Sequence, residues 1–142
     1  MRPETRLQRD IRRHLDALGL WSVHVPNGAV LSGDGRKRAI QMNSLKADGL
    51  CPGFPDLIVF DKGRIGFIEV KCEGEYASDT QMEVEHRLAL LGHHYAVCRS
   101  LADVNETLSK WGWLDRAKAA PAAWPYTTHR TLADTDDKGE AA

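Results

Sequence analysis

Three charged residues stand where their apolar neighbours should exclude charge. Asp56 precedes the run Leu57-Ile58-Val59-Phe60, while Glu69 and Lys71 flank Val70 at the end of Ile65-Gly66-Phe67-Ile68. Between the runs, Lys62-Gly63 is a tight-turn signal, so the two form an antiparallel hairpin. A turn centred there sets Phe60 opposite Ile65, Ile58 opposite Phe67, and Asp56 opposite Glu69. Side chains alternate along a strand, so Asp56, Glu69 and Lys71 share a face. Carboxylates directly across a strand pair destabilise it. At roughly 5 Å and an effective dielectric near 20, their repulsion is on the order of 3 kcal/mol. Lys71 offsets part of this. A hard divalent cation, Mg²⁺ or Mn²⁺, would offset more, because such ions take one or two carboxylates and leave other positions to water and substrate phosphate. The Val70 carbonyl is a further oxygen. A cation held there would stabilise charge developing on a scissile phosphate and acidify a water. Lys71 would hold that water or stabilise the transition state. The plainer alternative, on spacing alone, is an ion-pair cluster at the end of a surface hairpin.

The elements that must position these groups follow from periodicity. Both faces of the hairpin strands are apolar, which predicts cover on both sides. Leu7, Ile11, Leu15 and Leu18 make one stripe of a helix that begins at Pro3 and ends before Gly19. Glu4 lies on that stripe and should point inward, either as a metal ligand or as an acid favourable to the helix dipole. Leu20–Val25 reads as a strand. The glycine-rich stretch after it reads as turns, with a short hairpin around Gly33–Gly35. Ser78 followed by Gln81 marks a capping box at the next helix start. Gln81 then has two readings, closing the box or reaching the attacking water. A strand around Tyr95–Arg99 and a helix opened by Ser100 complete an α/β layered fold.

Composition narrows the function. The chain has 142 residues with 42% hydrophobic and 27% charged content, an ordinary globular balance for one domain. Cys51, Cys72 and Cys98 are odd in number and lack CxxC spacing, which speaks against a disulfide framework or zinc site and for a reducing cytoplasm. No apolar run suggests a signal peptide or a membrane span. Net charge is −1, but residues 1–50 carry nine basic against five acidic side chains, and residues 51–110 six against ten. A basic front beside an acidic centre suits an anionic substrate drawn to a cation site. Arg6, Arg9 and Arg13 on the outward face of the first helix, with Arg36, Lys37, Arg38 and Lys46, are candidate phosphate contacts; each is as readily ordinary solvated surface. His93 and His94 read as structural. Trp111, Trp113 and Trp124 read as packing or dimer contacts rather than base-stacking platforms.

The residues Pro55-Asp56 and Glu69-Val70-Lys71 resemble the PD-(D/E)XK nuclease signature. With Glu4, Gln8, Asn27-Gly28-Ala29, Ser78, Gln81, Arg99 and Ser100 in order, the chain resembles the VRR-NUC branch of that superfamily from about Glu4 to Leu108. The resemblance implies a restriction-endonuclease-like mixed β-sheet flanked by helices, with residues 1–110 as nuclease domain and 111–142 as an extension whose end is expected to be disordered. It implies catalysis by Asp56, Glu69, Lys71, Glu4 and Gln81, and Mg²⁺ or Mn²⁺ held by Asp56, Glu69, the Val70 carbonyl and Glu4. Asn27 joins the DNA-facing set. The activity implied is that of a metal-dependent, structure-selective DNA endonuclease, a homodimer that resolves Holliday junctions in a bacterial or phage-infected cytoplasm. Nicking or flap cleavage by a monomer, or a silent module binding branched DNA or a partner protein, are the alternatives. Cys72-Glu73 and the acidic "EGEYASDT" stretch depart from the family pattern.

Overall fold

The computed structural model describes residues 1–27 and 31–114. Its elements run α1 (Pro3–Ala17), β1 (Trp21–His24), α2 (Gly35–Ala47), β2 (Leu57–Asp61), β3 (Arg64–Val70), α3 (Asp79–Leu90), β4 (His94–Cys98) and α4 (Leu101–Lys110). The four strands form one sheet in the order β1-β2-β3-β4. β1/β2 and β2/β3 pair antiparallel, and β3/β4 pair parallel across the α3 crossover. The fold is therefore the mixed α/β sheet with flanking helices that the sequence implied.

The hairpin register is the expected one: Leu57 faces Ile68, Ile58 faces Phe67 and Phe60 faces Ile65. Cover on the two faces is unequal, however. On one face Leu57, Val59, Ile68 and Val70 are fully buried against Ile11 and Leu15 of α1, Val104 and Leu108 of α4, and Trp113. On the other, α3 brings only Val84 and Leu88 onto Phe67, with Phe54, Ile58 and Tyr95 half-buried around them. Ile65 is left 43% exposed. Among the described residues a single helix covers that face, so its burial is the lesser.

The short hairpin expected near Gly33–Gly35 is instead the start of α2. Asp34 caps it, its side chain accepting the Lys37 N–H at 2.9 Å, and good helix formers follow. The glycines read as a turn because no apolar stripe betrays the helix. Trp113 is core, and Trp111 lies flat on Gly66, whose missing side chain makes room for the ring. His94 stacks on Trp111, and His93 meets Phe67 edge-on, contacts in keeping with a packing role. Gly28, Ala29, Trp124 and the expected disordered end lie outside the described residues.

Candidate active site

Asp56 enters the site from the residue before β2. Its carbonyl accepts the Val25 N–H at 2.8 Å, so its backbone faces β1. Its carboxylate reaches the other way, Oδ2 accepting the Val70 N–H at 2.8 Å. The acid is thereby fixed across the end of β3. Within an extended strand a residue's N–H and C=O address the same neighbour, so the Val70 carbonyl lies on the Asp56 side.

Glu69 is the most confined group of the set, at 2% exposure. Its Oε1 accepts from Gln81 Nε2 at 2.9 Å and lies 3.9 Å from Lys71 Nζ. Its Oε2 is buried and no N–H or O–H donor of another residue reaches it, while the Glu69 and Asp56 carboxyls stand close enough to share a hydrogen bond. A buried carboxylate oxygen without a donor is costly, and the proton affinity reflects it. Burial first, then the neighbouring Asp56 carboxyl, pushes Glu69 up from 4.5 to about 8, with Lys71 opposing.

Gln81 closes the capping box, and its free end reaches Glu69 rather than a water. Its backbone N–H donates to Ser78 Oγ at 3.2 Å and its Oε1 accepts the Ser78 N–H at 3.0 Å, closing the capping box. That leaves the amide NH₂ free to hold Glu69. The α3 terminus is brought this close by Gly53, at φ +82°. A Cβ there would stand 2.7 Å from the Thr80 backbone, so only glycine admits the approach.

Glu4 is half-buried at the start of α1. Its carboxyl is raised above the ordinary range by burial and by a hydrogen bond to Glu75, with the charges of Glu75 and Asp56 adding to this and Lys71 opposing it. Glu4 thus stands beside Glu75 and within the field of Asp56 and Lys71. Contrary to the expectation from the sequence, among the described residues it does not join Asp56 and Glu69 in a group able to enclose a metal ion. Sequence reasoning missed Glu75; its only signal was the acidity of the loop after Lys71. Arg99 was known only as a matched position, and its role is now visible: it donates to the Cys72 carbonyl at 2.7 Å, anchoring the chain just beyond Lys71. Asn27 spends its amide on the Phe54 carbonyl, so it braces the loop that delivers Asp56.

The candidate phosphate contacts are carried by α1 and α2. Arg6 and Arg9 are exposed on α1, and Arg13 is half-buried, 3.5 Å from Asp10. Arg36, Lys37, Arg38 and Lys46 are exposed on α2.

Among the described residues no three His, Cys, Asp or Glu side chains form a group able to enclose a metal ion. What is present is an all-oxygen donor set with a buried oxygen that no N–H donor reaches, Glu69 Oε2, beside a second carboxylate and a strand carbonyl. That set fits a hard divalent cation whose remaining positions are filled by water or substrate.

Residues 2–102 match the VRR-NUC domain family. A solved structure described as a VRR_NUC domain is 24% identical, with a TM-score of 0.53 over 76% of this chain and 96% of that one, which is a likeness of fold. No curated protein matches the chain. No helix of the described residues is long and apolar enough to cross a membrane. With the match spanning most of the chain and the sheet carrying the family signature at one strand end, the protein belongs to the VRR-NUC family and is a nuclease-fold module.

Proposed function

We propose that this protein is a Mg²⁺- or Mn²⁺-dependent endonuclease that hydrolyses phosphodiester bonds in branched DNA. One observation carries the reading: a buried Glu69 with one oxygen that no N–H donor reaches, facing Asp56 and flanked by Lys71, in a VRR-NUC chain. A divalent cation, when bound, supplies charge stabilisation at the phosphate and a more acidic water. The chain's own residues do the rest. Asp56 and Glu69, with the Val70 carbonyl, would hold the ion. Gln81 sets the Glu69 rotamer. The Lys71 side chain is 12% exposed, so its ammonium stands at the boundary between the buried acids and solvent. From there it would hold the attacking water or stabilise negative charge on the transferring phosphate. Glu4, tied to Glu75, adds negative charge that would strengthen cation binding, perforce from outside the immediate acid pair.

A four-way junction needs two cuts, and one small domain with one site supplies one. The reading therefore includes a homodimer on such substrates. The test is a cleavage panel of four-way junction, flap, nicked and linear duplex DNA, with Mg²⁺, Mn²⁺ or chelator, for wild type and Lys71→Ala, alongside the solution mass. Metal-dependent junction cutting by a dimer, lost in Lys71→Ala, is the expected result. Flap or nick cutting by a monomer would replace the junction assignment. Binding without any metal-dependent cutting by wild type would leave a silent module.

A further inference from the structure

α2 is a helix without a home. None of its thirteen residues is buried, and it packs against no other helix or strand among the described residues. Ile40 is 59% exposed. An isolated helix of this length is marginal in water, and among the described residues only local devices support it. Asp34 caps its start, and Gln41 exchanges hydrogen bonds with the Ser32 backbone, accepting at 3.2 Å and donating at 2.7 Å.

Its charge is as one-sided as its packing is absent. Gly35–Ala47 holds Arg36, Lys37, Arg38 and Lys46 and no acid. The flanking Asp34 and Asp48 are its caps, the first spent on the Lys37 N–H. No ion pair engages the four cations among the described residues. An unpacked surface of one sign is complementary to a polyanion, not to a hydrophobic partner.

Its place is equally specific. The segment carrying α2 leaves the sheet after Val25 and returns at Phe54. Val25 bonds Asp56, and Asn27 bonds Phe54. Both ends of the excursion are therefore pinned at the strand end that bears Asp56. The helix carried between those pinned ends is about 20 Å long, a length of roughly six nucleotides along one strand of duplex.

We propose that α2 is a helical arm that lies along the phosphate backbone of duplex DNA beside the scissile position, its helix stabilised by that contact. The proposal rests on the nuclease reading and names the element that sets how much duplex the enzyme grips.

The test uses the full chain with an uncut junction or duplex in Ca²⁺, read by hydrogen exchange. Amides of Gly35–Ala47 exchange fast in the free protein and slow at least about tenfold with DNA, as ordering of an exposed helix requires. In parallel, affinity is measured against salt for wild type and for Arg36→Gln/Lys37→Gln/Arg38→Gln/Lys46→Gln. Each lost phosphate contact removes about 0.9 from the slope, so the variant's slope is shallower by about 2 to 4. Arg36→Lys/Arg38→Lys, which keeps the charge, retains the wild-type slope and shows that folding is not the cause. If DNA protects the segments around Asp56 and Lys71 while α2 exchange and the salt slope stay as they were, the arm is refuted and the nuclease reading stands. If DNA protects nothing and wild type cuts nothing with Mg²⁺ or Mn²⁺, both fall together.

Discussion

α2 and α3 both begin with a side-chain cap, and they differ in everything after it. α3 lays Val84 and Leu88 against Phe67 and sends Gln81 onto Glu69. α2 buries nothing and touches no other element among the described residues. A cap starts a helix; packing decides whether that helix is structural. The chain thus spends one helix on rigidity at the acids and leaves the other, with its four cations, outside the core. Precision at the reacting centre and reach toward a long substrate are separate requirements, and separate helices meet them.

The largest effect that sharpens this contrast lies at the acids themselves. Asp56→Ala removes a carboxylate and the acceptor of the Val70 N–H. We expect DNA cleavage to fall by about 10³-fold or more, measured as single-turnover rate. Next comes packing. Leu88→Ala should cost about 2–4 kcal/mol in a denaturant melt, whereas Ile40→Ala on α2 should change stability by less than about 0.5 kcal/mol. Equal costs would erase the contrast.

Gln81→Ala cuts two ties at once, the α3 cap and the donor to Glu69. Stability should drop by about 1 kcal/mol and cleavage by about 10- to 100-fold, the usual scale for a residue that orients a ligand. Gln81→Glu can still close the capping box but sets a third carboxylate on Glu69. It should restore the cap's share of stability and leave cleavage low.

A further effect is a pH dependence. Glu69 titrates near 4.5 when unfolded and about 8 when folded. Between those values the folded chain keeps a proton that the unfolded chain has lost. Stability of the metal-free protein should therefore be full below about 4.5 and fall as pH rises through about 8. A bound divalent cation favours the ionised form, so the thermal shift given by Mn²⁺ should grow from pH 6 to pH 8. Glu69→Gln should flatten the metal-free profile in that window.

Much of this arrangement was legible in the residues. The hairpin register followed from a two-residue period and one Lys-Gly turn, which allow a single alignment of Asp56 with Glu69. α1 was legible because Leu7, Ile11 and Leu15 must meet a core. α2 was not, for the converse reason: a helix that buries no face writes no stripe, and Gly33 and Gly35 then look like a turn. The unequal cover of the sheet was hidden too, since Ile65 and Phe67 have the same apolar character whether or not a helix arrives above them. Gln81 looked like a choice between cap and site because a spacing argument assigns one role per residue, while an amide has two ends. Glu75 was out of reach because its partner, Glu4, is 71 positions away and only the tertiary fold joins them.

The account depends on a divalent cation between Asp56 and Glu69, and crystals soaked in Mn²⁺ address it directly. The account predicts an anomalous difference peak within coordination distance of both carboxylates in wild type, and none there in Asp56→Asn. A wild-type crystal that shows no such peak, while the protein cuts DNA undiminished in the same Mn²⁺ solution, would contradict it.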